Sequence, residues 1–362
     1  MSEDRGGANR GGADRGGADR GSGAQPPRPR RTGGGRGELE SRTIAFQVLQ
    51  AVRAEGSYAN LLLGARLRHA GLSARDAGFV TELVAGTLRR QGTYDAILAT
   101  CVARSLNRVD PEVLDILRMG AHQLLTLRTP PHAVINTAVD LARAEVGRSV
   151  TGFVNAVLRT MIRRGRSLKL PERPTDETSE ARSVRYLSVT LSHPDWLVTR
   201  WLRRVGLDAA EQWCRFNNAA PDVTIRPLPP VTADDLVGRL REAGLDASLA
   251  RFARGAVQLT PGALGRVPTD LAAAFLVQDE GSQLVAAWAD IAPGERVLDV
   301  CASPGGKTVI AAGDLGIRDR ADGSLLVAGD RRDGRVALLE ATLRRAGLTV
   351  PLVALDALRP LP

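Results

Sequence analysis

The sequence is poor in the residues that build metal centres, disulfide frameworks and aromatic-rich surfaces. Of its 362 residues, 4% are aromatic, three are cysteine and four are histidine. These thiols and imidazoles are scattered along the chain, without CxxC pairs or the close spacing of metal ligands: Cys101, Cys214, Cys301, His69, His122, His132, His193. We therefore expect no bound metal and no disulfides, which fits a reducing cytoplasm.

Long apolar runs are also missing from the sequence. No stretch reaches the roughly 18 apolar residues that a membrane span requires, and the amino terminus lacks the apolar core of a signal peptide. Charge is biased, because 49 Lys and Arg stand against 40 Asp and Glu, a net charge of +9. We expect a soluble cytoplasmic protein, without a membrane partner, that binds a polyanion such as nucleic acid. A basic surface with no specific partner would give the same charge.

A low-complexity segment begins the chain. The whole chain of 362 residues is too long for one average domain, so we expect two or three structural units. Residues 1–37 contain three tandem Asp/Asn-Arg-Gly-Gly-Ala repeats and hardly any apolar side chains. We predict a disordered Arg/Gly-rich tail here, because such a composition cannot bury a core. The tail is either a weak RNA tether or a solubilising segment.

Residues 38–168 carry apolar side chains at three- and four-residue spacing, which predicts a bundle of amphipathic helices. One helix is expected to begin at Asp110-Pro111, an N-cap residue followed by proline in the first turn. Three phrases resemble the NusB-like family of RNA-binding domains, and they span residues 79–89, 116–125 and 152–159. The resemblance implies that this domain helps to dock RNA and is not catalytic.

A basic cluster marks the end of the bundle and recurs earlier in it. Its members are Arg89, Arg90, Arg159, Arg163, Arg164, Arg166 and Lys169. They either line a phosphate-facing surface or form an ordinary solvated helix face, and the sequence does not separate these interpretations.

The middle of the chain changes in composition twice. Residues 169–188 are rich in Pro, Glu, Thr and Ser and are predicted to form a linker. Residues 189–272 combine a helix that follows His193-Pro194 with short strands and a further helix, which predicts a small α+β subdomain.

The most informative segment lies in residues 273–362, where a strand, a glycine loop and a helix follow one another. The strand is expected over Glu295–Val300, the loop contains Gly305-Gly306, and an apolar helix follows it. In doubly wound folds a ligand meets such a loop at the carboxyl end of the strand. The glycines allow close approach of the backbone, and the helix amides can face a carboxylate. A nucleotide phosphate loop would require glycine at position 301, where this chain has Cys301.

Two further predicted strands end in carboxylates. Residues 324–329 lead to Asp330, and residues 350–355 lead to Asp356. An acidic residue after the second strand is placed to hold a ribose diol through two hydrogen bonds. We therefore predict a nucleoside cofactor site in the amino-terminal part of a Rossmann-like α/β domain.

The phrase Asp299-Val-Cys-Ala-Ser-Pro-Gly-Gly-Lys-Thr308, preceded by Gln278-Asp-Glu-Gly-Ser-Gln283, resembles the RsmB/NOP family of rRNA methyltransferases, which modify carbon 5 of cytosine. Fusion to a NusB-like bundle is typical of the bacterial 16S rRNA small-subunit methyltransferase B type. The resemblance implies S-adenosyl-L-methionine as cofactor and 16S rRNA as substrate, and we expect a monomer. The implied cofactor contacts are Cys301, Ala302, Ser303, Pro304, Gly305, Gly306, Lys307, Asp330 and Asp356, with Asp356 on the adenine amino group.

The residues that would make and break bonds are not apparent in this sequence. Carbon 5 of cytosine is a poor nucleophile, so a cysteine thiolate must first add to carbon 6, assisted by an acid and a base. In the resembled family these groups lie in an Asp-Ala-Pro-Cys phrase and a second cysteine-bearing phrase, and neither occurs before Pro362.

We therefore assign no catalytic residue and expect an inactive amino-terminal fragment whose nucleophile lies beyond Pro362. A doubly wound sheet without its fourth strand would leave Val297-Leu298 on an open apolar edge. The alternative is a non-catalytic RNA-binding protein that keeps the bundle and a vestigial cofactor fold.

Overall fold

The computed structural model describes residues 34–56, 58–175, 179–317 and 323–359. Most of the predicted Arg/Gly-rich tail, residues 1–33, lies outside the described residues. Within the described ranges, an all-helical bundle is followed by a small antiparallel sheet and then by a parallel sheet. This order confirms the predicted fold class.

The amino-terminal bundle is built from helices whose apolar faces meet in one core. They are α1 (Gly34–Glu55), α2 (Ala59–His69), α3 (Ala74–Arg89), α4 (Gln91–Cys101), α5 (Pro111–Leu125), α6 (Pro131–Glu145) and α7 (Thr151–Arg164). The predicted start of α5 is confirmed, since the Asp110 side chain accepts a hydrogen bond from the Glu112 amide at 2.9 Å. Phe46, Leu83 and Leu117 lie fully buried at the centre. Helix α1 begins four residues before the boundary placed at residue 38.

The segment predicted as a linker, residues 169–188, is partly helical. Helix α8 (Glu180–Arg185) continues into a π-helical turn at Tyr186–Thr190. The turn is held against α4, because the Thr93 hydroxyl donates to the carbonyl oxygen of Val189 at 2.8 Å. Leu187 is buried against the helix that follows, so its apolar contacts outweigh the linker-like composition on which the prediction rested.

A small antiparallel sheet follows the long helix α9 (Asp195–Asn218), which is kinked at Gly206. The remaining elements are β1 (Val223–Pro227), α10 (Ala233–Glu242), β2 (Ala247–Leu249), β3 (Val257–Leu259), α11 (Thr269–Ala272) and β4 (Phe275–Val277). The strand order is β2-β3-β1-β4. Strand β4 pairs with β1 in this sheet, although the boundary of the preceding subdomain was placed at residue 272.

The parallel sheet begins after α12 (Glu280–Trp288) and contains β5 (Arg296–Asp299), β6 (Leu325–Asp330) and β7 (Leu352–Ala354), in that order. Helices α13 (Gly306–Asp314) and α14 (Asp333–Arg345) connect the strands and bury one face of the sheet. Among the described strands β5 lies at the edge, as expected, and Leu298 is 41% exposed.

None of the helices in the described ranges combines the length and apolar character that crossing a bilayer would require.

Candidate cofactor site

The glycine loop between β5 and α13 is held in place by hydrogen bonds at its start and within its first turn. The Ala302 amide donates to the carbonyl oxygen of Gly329 at 2.9 Å, which ties the loop to the neighbouring strand β6. Asp299 links the two ends of the loop, because its carboxylate accepts hydrogen bonds from the Cys301 amide at 3.3 Å and from the Thr308 hydroxyl at 2.8 Å. These hydrogen bonds fix the backbone of the loop.

Both glycines of the loop have a steric reason to lack a side chain. Gly305 has a φ of +111°, and a Cβ on it would lie 3.0 Å from Leu339 Cδ1. A Cβ on Gly306 would lie 2.9 Å from the Cδ atom of Gln278. Gly305 is also the N-cap of α13 and offers no side chain to the first helical amides. These amides are therefore available to an anionic group.

A cavity of about 430 Å³ lies beside this loop. Its floor is formed by loop residues and its walls by the end of β4, the start of α12 and the last turn of α14. The lining consists of Leu276, Val277, Gln278, Asp279, Ser282, Asp299, Cys301, Ala302, Ser303, Pro304, Gly306, Lys307, Thr342 and Arg345. Arg345 fixes the wall, because its guanidinium donates to the carbonyl oxygen of Phe275 at 2.7 Å and to that of Ala272.

The two strand-end carboxylates are not among the residues that line this cavity. Asp330 is buried; it accepts from the amide of Arg331 at 2.9 Å, and its carboxylate lies 3.2 Å from Arg335 Nε. The guanidinium of Arg335 also donates to the carbonyl oxygen of Ser303 at 3.2 Å, so it joins Asp330 to the glycine loop. Asp356 follows β7, next to Leu355, whose amide donates to the Asp330 carbonyl oxygen at 3.2 Å.

The structure therefore brings six of the nine predicted contact residues to one cavity. These are Cys301, Ala302, Ser303, Pro304, Gly306 and Lys307. Gly305 is the N-cap of α13, and Asp330 and Asp356 lie at the carboxyl ends of the paired strands β6 and β7. No residue's role in ligand binding is tested by this placement, and the assignments stay predictions.

Sequence reasoning missed five polar residues of the cavity: Gln278, Asp279, Ser282, Thr342 and Arg345. The first three belong to the phrase 278–283, which marked a resemblance but was given no role. Arg345 carries no sequence signal, since it reaches the site only through the packing of α14.

The cysteines occupy three different environments. Cys301 is exposed in the loop, Cys101 is half-buried in the bundle, and Cys214 is buried in α9. Burial raises the pKa of the Cys214 thiol to about 11, so this thiol stays protonated near neutral pH. In the described part of the chain, no cluster of three or more His, Cys, Asp or Glu side chains could hold a metal ion.

Two family models match the chain. The model described as the NusB family matches residues 39–163. The model described as the RsmF/B-like methyltransferase, ferredoxin-like domain matches residues 193–263. Together they cover the helical bundle and most of the small antiparallel sheet.

Similar proteins extend over most of the chain. A putative methyltransferase of Mycobacterium tuberculosis is 35% identical over 360 residues, covering 91% of this chain and 76% of the relative. The ribosomal RNA small subunit methyltransferase B of Pseudomonas syringae pv. tomato is 33% identical, over 88% of this chain and 67% of the relative. The protein of the same name from Pseudomonas putida is 31% identical, over 88% and 69%.

A solved structure supports the fold. The crystal structure of PH0851 superposes with a TM-score of 0.65 at 20% identity, covering 89% of this chain and 69% of that chain. At that identity the likeness shows the fold alone.

Proposed function

Because the chain belongs to the ribosomal RNA small subunit methyltransferase B family, we propose that its glycine-loop cavity binds S-adenosyl-L-methionine. We propose further that the intact enzyme transfers the methyl group to carbon 5 of a cytosine in 16S rRNA. The observation that carries this proposal is the fixed loop between β5 and α13, with its uncapped helix start and the carboxylates of Asp330 and Asp356 beside it.

The residues present fit the proposed cofactor. The free amides at the start of α13, which border the cavity, suit an amino-acid group. Asp330 suits a ribose diol, since its position is fixed by the Arg331 amide and by Arg335. Asp356 would meet the adenine amino group. When bound, the cofactor supplies an electrophilic methyl group, while the chain's own residues hold and orient it.

The nucleophile is a separate question. Attack on a cytosine ring requires a thiolate close to the transferred methyl group. Cys214 is buried and its pKa is raised, Cys101 lies in the bundle, and Cys301 belongs to the loop that would hold the cofactor. We therefore propose that none of these three cysteines attacks cytosine and that this chain alone binds cofactor without turning it over.

RNA docking is the function we propose for the bundle. The match to the NusB family and the net charge of +9 support it. Three of the predicted phosphate-facing arginines are also engaged within the protein: Arg159 donates to Asn155 at 2.9 Å, Arg163 to Thr160 at 3.2 Å, and Arg164 to the carbonyl oxygen of Thr100.

The proposal is tested by equilibrium dialysis of methyl-labelled S-adenosyl-L-methionine against the full chain. We expect the chain to retain label and Asp330→Asn to weaken binding about tenfold or more, because hydrogen bonds to a charged group contribute about 1.5–3 kcal/mol. Asp333→Asn is the matched control, since Asp333 is exposed in the first turn of α14.

A transfer assay with small-subunit rRNA completes the test. Retained label without transfer to cytosine supports the proposal, whereas turnover by this chain would show that one of its own cysteines is the nucleophile. If no label is retained, the chain does not bind cofactor, and the non-catalytic RNA-binding alternative is favoured.

A further inference from the structure

The loop between β2 and β3 presents an aromatic ring to solvent between two arginines. It spans residues 250–256, and its exposed side chains include Arg251, Phe252 and Arg254. Phe252 is 62% exposed, and the guanidinium carbon of Arg251 lies 5.0 Å from the centroid of its ring. A single exposed phenylalanine needs no explanation by itself, so the meaning of this one depends on the backbone and the charges around it.

The backbone that carries Phe252 is held by side chains from two other elements. The Glu280 carboxylate of α12 accepts hydrogen bonds from the amides of Phe252 and Ala253, the latter at 2.8 Å. The Arg226 guanidinium of β1 donates to the carbonyl oxygen of Arg254 at 2.7 Å. Because connecting loops are ordinarily the more mobile part of a fold, these bonds keep an apolar ring in a fixed, exposed position. A ligand that binds such a ring has little further loop ordering to impose.

Glu280 also joins this loop to the wall of the cofactor cavity. It is the first residue of α12 and directly follows Asp279, and both Asp279 and Ser282 line the cavity. The Glu280 side chain thus contacts the loop while its neighbours in sequence face the cavity. The loop therefore adjoins the cavity in which the methyl donor would lie.

The charges on the loop favour a polyanion. Neither Arg251 nor Arg254 forms an ion pair with a carboxylate among the described residues. The carboxylate that does contact the loop, that of Glu280, is bound to backbone amides. Guanidinium groups bind phosphates, and an aromatic face stacks on any base. One ring between two unpaired cations suits a nucleic-acid strand better than the wide apolar area of a protein interface.

We propose that this loop binds single-stranded RNA, with Phe252 stacked on a base and Arg251 and Arg254 on the flanking phosphates. The inference rests on the proposed function, since it identifies the element that would hold the RNA substrate beside the cofactor cavity. The single-stranded form follows from the stacking, because only an unpaired, unstacked base offers its face to a side chain.

Trp288 provides a matched control. It is the last residue of α12 and is 89% exposed, so it is a freely accessible aromatic ring. No arginine lies over its ring among the described residues, and it is not part of the cavity lining. The helix separates it from Glu280 by about 12 Å along the axis. Trp288→Ala therefore removes an exposed ring from a place where we expect no RNA contact.

The test is fluorescence anisotropy of the full chain with two labelled oligomers of equal length. One is a single-stranded RNA rich in cytosine, and the other is its abasic counterpart, which keeps the ribose and phosphate groups without the bases. We expect Phe252→Ala to weaken binding of the RNA about tenfold, as for the loss of one stacked base. Binding of the abasic oligomer should change less than about twofold.

The arginines should behave differently from the ring. Arg251→Gln combined with Arg254→Gln should weaken binding of both oligomers alike and make it less dependent on salt, because phosphate contacts are lost. Phe252→Leu keeps an apolar side chain without an aromatic face and should lose RNA affinity nearly as Phe252→Ala does. Trp288→Ala should bind both oligomers as the wild-type chain does. Thermal unfolding confirms that each variant is folded.

Four outcomes would overturn the inference while leaving cofactor binding intact. They are unchanged RNA affinity in Phe252→Ala, an equal loss for both oligomers in that variant, an equal loss of RNA affinity in Trp288→Ala, and full affinity in Phe252→Leu. A wild-type chain that binds neither oligomer would overturn it as well. Failure of the proposed function is a separate result, because it appears as a chain that retains no S-adenosyl-L-methionine in dialysis.

Discussion

Two buried glutamines are used in opposite ways in this molecule. Gln123, in α5 of the bundle, is 2% exposed; its Oε1 accepts from Arg42 Nε at 2.9 Å and its Nε2 donates to the carbonyl oxygen of Met119 at 3.1 Å. Gln278, beside the glycine loop, is nearly as buried but has no partner for either atom among the described residues. The first amide joins two helices, while the second is packed against Gly306 of the glycine loop.

The helical bundle and the parallel sheet also differ in how completely they bury their apolar residues. The bundle buries its apolar residues on itself, with a core that runs from α1 to α7. The parallel sheet is covered by helices on one face only. Its other face borders an open, apolar cavity of about 350 Å³ lined by residues that include Leu298, Leu325 and Val327. We infer that, within the described residues, the bundle contributes more apolar stabilisation than the parallel sheet does.

The largest expected effect is a difference in the free energy of unfolding between a substitution in the bundle core and one on the open face of the parallel sheet. Leu117→Ala in the fully buried bundle core should lower the free energy of unfolding by about 2–5 kcal/mol. Leu298→Ala on the open face, where the side chain is 41% exposed, should lower it by less than about 1 kcal/mol. Urea unfolding followed by circular dichroism measures both. Equal losses would contradict the contrast.

The two glutamines give the next largest effect. Gln123→Met removes the acceptor of Arg42 Nε inside the bundle and should cost about 1–3 kcal/mol of stability. Gln278→Met should leave the unfolding free energy unchanged or slightly raised, because it removes an amide that was buried without partners. Thermal unfolding of both variants measures the two changes in stability. A large loss in Gln278→Met would mean that its carboxamide has a structural role.

The sequence predicts those features of the site that depend on residues adjacent in the chain, and it does not predict those that depend on tertiary packing. The strand, loop and helix around Gly305-Gly306 could be predicted because all the determining residues are adjacent in the chain. The unpaired amide of Gln278 could not, because its orientation depends on the pairing of β4 with β1 and on the packing of α12 against α13. The bridge that Arg335 forms between Ser303 and Asp330 likewise arises only from tertiary packing.

The domain boundaries show the same difference between what adjacent residues determine and what tertiary packing determines. The bundle's helices were predictable from spacing, since one apolar stripe per helix is a local property. Residues 180–188 were predicted as part of a linker, because Pro, Glu, Thr and Ser dominate the composition of that stretch. The segment is helical, and Leu187 is buried in it.

A third prediction uses the loop itself. Gly306→Ala places a methyl group against Gln278 Cδ and should push the carboxamide away, weakening S-adenosylhomocysteine binding about tenfold, or ~1.4 kcal/mol. Gly313→Ala is the control in the same helix, since a Cβ there would meet no atom within 4 Å. Calorimetric titration compares them. Equal affinities in the two variants would contradict a ligand site at the start of α13.

The smallest expected effect is a pH dependence of the bundle's stability. Interaction with the His122 imidazole, whose Nε2 lies 3.5 Å from Glu82 Oε1, holds the pKa of Glu82 below its usual value of 4.5. A lowered folded-state pKa contributes stability above 4.5 that is lost as pH falls through the folded value. Glu82→Gln should therefore lower the melting temperature slightly at neutral pH and have no effect at lower pH. A difference that persists in acid would contradict this origin.

The most direct test of the cofactor site is a crystal structure of the full chain with S-adenosylhomocysteine. The predicted result is a ligand whose amino-acid group lies against the free amides at the start of α13 and whose ribose diol bonds Asp330. A ligand bound elsewhere, or one that leaves Asp330 without a contact, would contradict this account.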